Sequence, residues 1–145
     1  MSEVLNLRDG CNSDYSLRRI LRRDLARLAE IARRDVERYF AGNPAMQRIY
    51  RRRYFCSALC QGAAIHFALP EIGYGVKDFD VWTFFARAPQ ETRLGMFKRR
   101  ATPAAFGSAT FGEDPFGVVT GSRRVDLFWR TVDDSAADPV LAVQN

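Results

Sequence analysis

The sequence predicts an α+β domain, in which a small mixed β-sheet packs against helices, and two patterns support this prediction. Apolar residues recur every three or four positions over residues 14–42, which is the period of a long amphipathic helix. Runs rich in aromatic and β-branched residues, DFDVWTFFA at 78–86 and RVDLFW at 124–129, are typical of buried strands. A chain of 145 residues has the length of one domain. We therefore expect a single domain made of an Arg-rich helical segment (1–53), a core (54–130) and a tail (131–145).

The expected elements follow one another without a regular alternation of strands and helices. The first helix, over 14–42, can be capped by Ser13 or Asp14, and the Gly42-Asn43-Pro44 sequence ends it. Pro44 can open a second, short helix, because proline fits the first turn. The rest of the chain predicts a strand at 54–60, a helix at 63–69, a turn at 73–75, a strand at 78–86, loops and short elements at 87–120, and a strand at 124–129.

Composition narrows the class of protein. Hydrophobic residues make up 47% of the chain and charged residues 27%, which is a globular composition. The longest apolar runs are far shorter than the roughly 20 residues of a membrane helix. The three cysteines show no C-x-x-C spacing, and the N-terminus lacks a basic region followed by an apolar stretch. We therefore expect a cytoplasmic protein without a membrane partner.

The formal net charge of +5 is concentrated in the first third of the chain. Residues 1–53 carry thirteen basic and seven acidic residues, whereas residues 54–145 carry nine basic and ten acidic residues. A basic helix can bind nucleic acid or an acidic protein partner. Twenty of the 22 basic residues are Arg, which equally fits a solvated helix face in a chain with a general Arg bias. Both interpretations stay open on the sequence alone.

Three aspartates lie in segments that are expected to be buried strands. Asp78 and Asp80 stand two residues apart, so both side chains lie on one face of their strand. Asp126 lies within the second aromatic strand. Buried carboxylates lose hydration and repel one another, so a divalent cation or a set of Arg partners must compensate them. Mg²⁺ is the natural candidate because it binds a few carboxylates together with substrate phosphates.

Each aspartate also has a purely structural interpretation. Asp78 can cap the turn that precedes its strand, and Asp126 can pair with Arg123 or Arg124. His66, the one histidine of the chain, is expected to be a packed residue rather than a catalytic one. The segment upstream of the strands shifts the balance towards a functional interpretation of the aspartates.

That segment is LCQGAAIHF, in which a strand ends at Gly62 and a helix starts at once. The first backbone N–H groups of a helix lack partners within it and readily bind phosphate oxygens. Gly62 permits close approach of a ligand, and we expect the small Ala63 and Ala64 to keep the mouth of the site open. Lys77, just before the first aspartate, can neutralise the carboxylates, touch a phosphate or lie solvated.

This order of motifs resembles the DNA polymerase β-type nucleotidyltransferase superfamily. QGAAIHF is similar to the GGTAL-type motif of the abortive-infection toxin nucleotidyltransferases, KDFDVW to their D-x-D strand, and RRVDLF to the strand with the third carboxylate. The resemblance covers about residues 54–130 and leaves the Arg-rich helix outside it. It implies a sheet of nucleotidyltransferase type and Mg²⁺-dependent transfer from an NTP to the hydroxyl of an unidentified acceptor, which is a small molecule, a protein or RNA.

The resemblance also implies a role for each motif residue. One or two Mg²⁺ ions would bind the D-x-D pair together with the triphosphate, and the third carboxylate would complete the second metal site and activate the acceptor hydroxyl. The catalytic and metal-binding set is therefore Asp78, Asp80 and Asp126. The nucleotide-binding and phosphate-binding set is Gly62, Ala63, Ala64 and Lys77.

The chain departs from the family pattern in two places, and these keep other functions open. Ala63 stands where Gly or Ser is usual, so it offers no hydroxyl to a phosphate. Only about fifteen residues follow Trp129, where many relatives carry a helical domain. The main alternative is a non-catalytic module of the same fold that binds nucleic acid or a protein partner through its basic helix. A hydrolase with paired carboxylates is a third possibility, which leaves the glycine at the strand–helix joint unexplained.

Overall fold

The computed structural model describes residues 17–69, 76–89, 99–107, 110–111 and 123–133. These residues form a mixed α+β structure, with three α-helices and a four-stranded mixed sheet. A 3₁₀ turn, Arg51–Arg53, connects the second helix to the sheet. The elements in chain order are β1 (Leu17–Arg18), α1 (Arg22–Gly42), α2 (Pro44–Tyr50), β2 (Tyr54–Cys60), α3 (Gln61–Ala68), β3 (Asp78–Ala86), β4 (Arg99–Gly107), β5 (Thr110–Phe111) and β6 (Arg123–Val132).

The main sheet has the strand order β2-β3-β6-β4. The central strands β3 and β6 run parallel, and each pairs with an antiparallel outer strand, β2 and β4 respectively. β1 and β5 form a separate two-stranded parallel pair. The parallel pairing in the centre brings the starts of β3 and β6 to the same end of the sheet, which is also where β2 ends and α3 begins.

The two faces of the main sheet differ in character, because successive side chains of a strand point to opposite faces. One face packs against α1 and α2, and we call it the helix face; its central residues are Phe79, Val81, Phe85, Val125, Leu127 and Trp129. The other face we call the carboxylate face; on β3 and β6 it carries Asp78, Asp80, Trp82, Phe84, Arg124, Asp126 and Phe128.

Helix α1 covers the helix face with an apolar stripe that includes Leu28, Ala32 and Phe40, each 2% exposed. Trp129, at the other end of this core, packs edge-on against the ring of Phe40 with centroids 5.6 Å apart. The predicted amphipathic helix is therefore confirmed over Arg22–Gly42. None of the helices in the described residues is long and apolar enough to cross a membrane.

The predicted start of this helix at residue 14 was wrong. Leu17–Arg18 is strand, and the helix begins at Arg22, with Asp24 closing its first turn. The backbone N–H of Leu21 donates to Oδ2 of Asp24 at 2.7 Å, as in a capping box. Leu17 fits the helical period although it precedes the helix, and this is why periodicity alone predicted too early a start for the helix. The proposed caps Ser13 and Asp14 lie outside the described residues.

The other predicted elements agree with the structure to differing degrees. The short helix from Pro44 and the strands at 54–60 and 78–86 are confirmed. α3 begins at residue 61 instead of 63, and the last strand extends to 123–132. The nine-residue β4 was missed within the Pro- and Gly-containing stretch 87–120. Pro103 is tolerated there because β4 is an outer strand. The predicted turn at 73–75 and residues 134–145 of the tail lie outside the described residues.

Candidate functional site

The strand register brings the three predicted site aspartates onto one face of the sheet. Asp80 pairs directly with Asp126 across the parallel β3–β6 ladder, and Asp78 pairs with Arg124. Neighbouring strands lie about 4.8 Å apart, so the backbones of Asp80 and Asp126 are adjacent. Asp126 is 8% exposed, whereas Asp78 and Asp80 are partly buried. The sequence therefore placed the carboxylates on the correct strands, and the pairing of the strands brings them together.

Arg124 is the cation that the structure places against these carboxylates. Its Nε donates to Oδ1 of Asp126 at 2.6 Å, and the Arg124 side chain remains 61% exposed. The expectation that Arg123 or Arg124 pairs with a site aspartate is thus confirmed for Arg124. Arg123 points to the opposite face, where it is buried, and its Nη1 donates to the backbone carbonyl of Lys77 at 3.3 Å. This contact ties the start of β6 to the start of β3.

The electrostatics of the site disfavour its negative charge. Burial raises the pKa of Asp80 above its usual value, and the neighbouring carboxylates of Asp78 and Asp126 raise it further. Arg124 acts in the opposite direction and lowers the pKa without reversing the shift. Ionised Asp80 is therefore costly in the folded chain, and an added cation would relieve that cost.

Cys60 lies on the other side of Asp80, as its partner in β2. Burial raises the pKa of the Cys60 thiol, and the charge of Asp80 and the nearby Cys56 add to the shift. Burial likewise raises the pKa of Cys56. Because a thiol is ordinarily protonated below about pH 8.5, both cysteines are neutral at pH 7 and add no further negative charge.

The joint between β2 and α3 is sharp. Gln61, the first residue of α3, has a φ of 57°, in the left-handed region that non-glycine residues rarely adopt. Gly62 follows it and is exposed, and a Cβ built on Gly62 would meet no atom within 4 Å. The chain itself therefore does not require a glycine here for space. The open volume beside its Cα fits a ligand that approaches the backbone closely.

The expectation that Ala63 and Ala64 keep the mouth of this site open was wrong for their side chains. The methyl group of Ala63 is 2% exposed and belongs to the core beneath α1. Ala64 lines a small cavity between α1 and β2 on the helix face. Their small size serves the packing of α3. Ala63 is buried as a whole residue and the N–H of Ala64 bonds within the helix, so the exposed Gly62 is the residue of this joint whose N–H can meet a phosphate. His66 is 2% exposed, which confirms that it is a packed residue.

The carboxylates of the site are the kind of ligand that Mg²⁺ prefers, but their present arrangement is not that of a metal site. Three carboxylates on one face supply the oxygen ligands that Mg²⁺ prefers. Among the described residues, however, no three His, Cys, Asp or Glu side chains are already grouped closely enough to hold a metal ion. Asp126 is turned towards Arg124, to which it is bonded through Oδ1. A cation shared between Asp126 and Asp80 would therefore compete with Arg124 for the Asp126 carboxylate.

Two aromatic residues next to the carboxylates were not part of the predicted site. Trp82 follows Asp80 by two residues on β3, and Phe128 follows Asp126 by two residues on β6. Their rings stack, with centroids 4.7 Å apart and an angle of 14° between the planes. The signal was present in the sequence, because both motifs contain an aspartate followed two residues later by an aromatic residue (DVW and DLF).

Two cavities within the described residues lie away from the carboxylates. The larger has a volume of about 600 Å³ and lies between α1, the 3₁₀ turn and β2, with Phe40, Tyr54 and Phe85 among its lining residues. The smaller, of about 190 Å³, lies between α1, β2 and α3. Neither of these two cavities is lined by a site aspartate.

Comparisons with known proteins identify no relative: no family model, no curated protein and no solved structure matches this chain. The assignment of function therefore depends on the arrangement of the site residues and on the motif resemblance in the sequence.

Proposed function

We propose that the carboxylate face binds a divalent cation together with the triphosphate of a nucleotide and catalyses nucleotidyl transfer to the hydroxyl of an acceptor. The observation that carries this proposal is the register of β3 and β6, which sets Asp80 beside Asp126, with Asp78 on the same face. Like charges directly opposite one another destabilise a sheet. A chain that needed these positions only for folding would be more stable with neutral residues there.

The proposed roles follow from where each group lies. Asp78 and Asp80, at the start of β3, would hold the cation, and Asp126 would complete the site and take the proton of the acceptor hydroxyl. Mg²⁺, when bound, would supply the positive charge that steadies the triphosphate and the attacking and leaving oxygens. The acceptor oxygen would form its bond to the α-phosphorus as pyrophosphate leaves.

The phosphate-binding group lies at the same end of the sheet as the carboxylates. The backbone N–H of exposed Gly62 belongs to the first turn of α3, which starts directly after the partner of Asp80 in β2. Lys77 is exposed and immediately precedes β3. Arg124, released from its carboxylate by the cation, would be a third positive group for the phosphates, because its side chain is largely exposed.

The alternative function, binding of nucleic acid through the basic helix, has weaker support in the structure. Glu30 accepts hydrogen bonds from Arg33 and Arg34, and Glu37 accepts one from Arg51. These pairs neutralise part of the cationic surface locally and favour the interpretation of a solvated helix face. The proposed transfer requires metal-dependent binding of a nucleotide, and the following experiment tests that binding.

The test is isothermal titration calorimetry of the full chain with each of the four common NTPs, with Mg²⁺ and with excess EDTA. We expect binding that requires the metal, and a loss of at least about 100-fold in Asp78→Asn, Asp80→Asn and Asp126→Asn. Asp133→Asn is the matched control, because this exposed aspartate follows the same strand, β6, at its opposite end. The control should bind like the wild type.

Two results would overturn the proposal. One is a wild-type chain that binds none of the four NTPs in the presence of Mg²⁺. The other is an affinity that Asp80→Asn leaves unchanged. If the chain instead binds a single-stranded oligonucleotide with a steep salt dependence that Asp80→Asn does not alter, the alternative function is supported.

A further inference from the structure

We propose that Trp82 and Phe128 form the platform on which the base of the bound nucleotide stacks. The inference rests on the proposed function and adds to it the place and the chemical class of the base. The two residues are direct partners in the β3–β6 ladder, and each lies two positions beyond a site aspartate on the carboxylate face. Their rings are stacked on each other at 4.7 Å, so they present a rigid apolar surface next to the metal-binding group.

The spacing along the strands suits the parts of a nucleotide. Two residues of a strand span about 6.5–7 Å, so this is the separation between the positions of Asp80 and Trp82 and between those of Asp126 and Phe128. In a nucleotide, the ribose stands between the α-phosphate and the base and bridges a comparable gap. A nucleotide whose α-phosphate lies at the carboxylates therefore reaches the aromatic pair with its base.

The order of groups on the sheet also sets the direction in which the nucleotide lies. α3 begins at the end of the sheet where β3 starts, beside Asp78 and Lys77, whereas Trp82 lies towards the middle of β3. The β- and γ-phosphates then point towards Gly62 and Lys77, and the base points the other way. The opposite orientation would set phosphates against aromatic rings and the base against backbone N–H groups.

The surroundings of Trp82 distinguish a binding platform from ordinary core. Further along the same face, Phe84 is 4% exposed and Val132 is 8% exposed, so these residues are core. Trp82 packs against this core, with its ring centroid 6.2 Å from that of Phe84, yet both Trp82 and Phe128 keep an intermediate exposure, and they are the aromatic residues of this face nearest to the carboxylates. On the β2 side, the residue paired directly with Trp82 is Ala58, whose side chain is only a methyl group.

Stacking on aromatic rings is tolerant of base identity, because every base has a flat π surface. We therefore expect the site to accept all four NTPs, with purine nucleotides bound more tightly than pyrimidine nucleotides because their rings bury more area. Discrimination that depends on hydrogen bonds to the base edge is not expected from this pair of rings.

The test compares two probes that share phosphate chemistry but differ in the base. ATP and inorganic tripolyphosphate, each with Mg²⁺, are titrated into the full chain and its variants by calorimetry. In Trp82→Leu and in Ala58→Leu, which fills the space beside the ring, we expect ATP affinity to fall about tenfold or more. The affinity for tripolyphosphate should stay within about twofold of the wild type, because that probe has no base to stack.

Two controls separate a lost platform from a disturbed fold. Phe40→Leu changes a buried aromatic residue of the helix face, away from the platform, and should leave the affinities for both probes unchanged while lowering the thermal midpoint. In the wild type, ATP should quench the tryptophan fluorescence and tripolyphosphate should not, since Trp129, the other tryptophan, is 1% exposed.

The outcomes distinguish this inference from the proposed function. If the wild type binds both probes but Trp82→Leu and Ala58→Leu bind ATP normally, the platform is overturned and the phosphate site stands. Equal loss of both probes in the two variants also overturns it, because it shows a structural effect. If the wild type binds neither probe, the platform and the proposed function fail together.

Discussion

The outer face of α1 and the carboxylate face of the sheet have opposite effects on the ionisation of their acidic side chains. On α1, Glu30 accepts hydrogen bonds from Arg33 at 2.7 Å and from Arg34 at 2.9 Å, and these lower its pKa to about 2. On the sheet, Asp80 lies beside Asp126, and burial and like charge raise its pKa. One surface favours ionisation of its acid and the other opposes it. The difference teaches that the ionised acid on α1 stabilises the folded chain, whereas ionised Asp80 on the sheet costs it stability.

The same comparison explains why net charge is a poor guide to this protein. The basic surplus of residues 1–53 attracts attention, yet the ion pairs of α1 neutralise part of it within the helix surface. Residues 54–145 are close to neutral in sum, and this near-balance includes three aspartates on adjacent strands. The energetic imbalance therefore lies in the region with the smaller net charge.

The largest difference in stability between the two surfaces should appear when one arginine of each is replaced. Arg124→Ala leaves Asp126, whose side chain is 11% exposed, without its partner and removes the cation that offsets Asp80. We expect a loss of about 1–2 kcal/mol in urea unfolding at pH 7, limited by the exposure of the arginine. Arg34→Ala is the matched variant on α1, and its smaller loss should disappear in about 0.5 M NaCl. Equal losses in the two variants would contradict the comparison.

Removing one of the two like charges on the sheet should stabilise the protein instead of destabilising it. Asp80→Asn is expected to stabilise the protein by about 0.2–1 kcal/mol at pH 7, because it relieves the repulsion with Asp126 across the strand pair. The folded chain raises the pKa of Asp80, so its ionisation costs stability in full above that raised value and not at all below 3.8, the ordinary value. The gain should therefore shrink as the pH falls through the raised pKa and vanish below 3.8, the ordinary value. A destabilised variant at pH 7 would contradict the account.

Gly62→Ala tests whether the joint before α3 serves binding rather than folding. A Cβ at this position meets open space, and alanine is the better helix former. The thermal midpoint should stay the same or rise, by at most the equivalent of about 1 kcal/mol. Affinity for Mg²⁺-ATP should nevertheless fall, because the methyl group occupies the space through which a phosphate approaches the backbone. Unchanged affinity, measured by calorimetry, would remove Gly62 from the site.

The smallest effect should come from the acid on α1. Glu30→Gln removes a carboxylate whose pKa the two arginines lower to about 2. A lowered folded-state pKa adds stability above the ordinary value of 4.5, and that contribution is lost as the pH falls from 4.5 towards 2. The wild type and the variant should therefore differ slightly at pH 7 at low salt and converge below pH 3. A difference that grows on acidification would show that the pair does not act as described.

Local patterns in the sequence predicted the elements that carry the site, because they depend on side chains near one another in the chain. The aromatic run at 78–86 forms β3 within the predicted bounds, and the run at 54–60 forms β2. The β4 strand was missed because Pro103 and Gly107 lower strand propensity, and only its outer position in the sheet accommodates the proline.

The arrangement of the site could be predicted only in part, because strand pairing is not a local property. The D-x-D spacing fixes Asp78 and Asp80 on one face, but the register that sets Asp126 beside Asp80 joins residues 46 positions apart. The same register makes Trp82 and Phe128 neighbours, which is why these rings were not predicted as part of the site. The burial of the Ala63 methyl likewise depends on the packing of α3 beneath α1.

The central claim is that the neighbouring carboxylates of the carboxylate face bind a divalent cation, and thermal unfolding tests this claim most directly. With about 10 mM MgCl₂ compared with NaCl at equal ionic strength, a site of about 1 mM affinity raises the midpoint of the wild type by about 5 °C. Asp80→Asn and Asp126→Asn should lose this specific increase, while Asp133→Asn should keep it. An equal increase in Asp80→Asn, or none in the wild type even with ATP present, would contradict the claim.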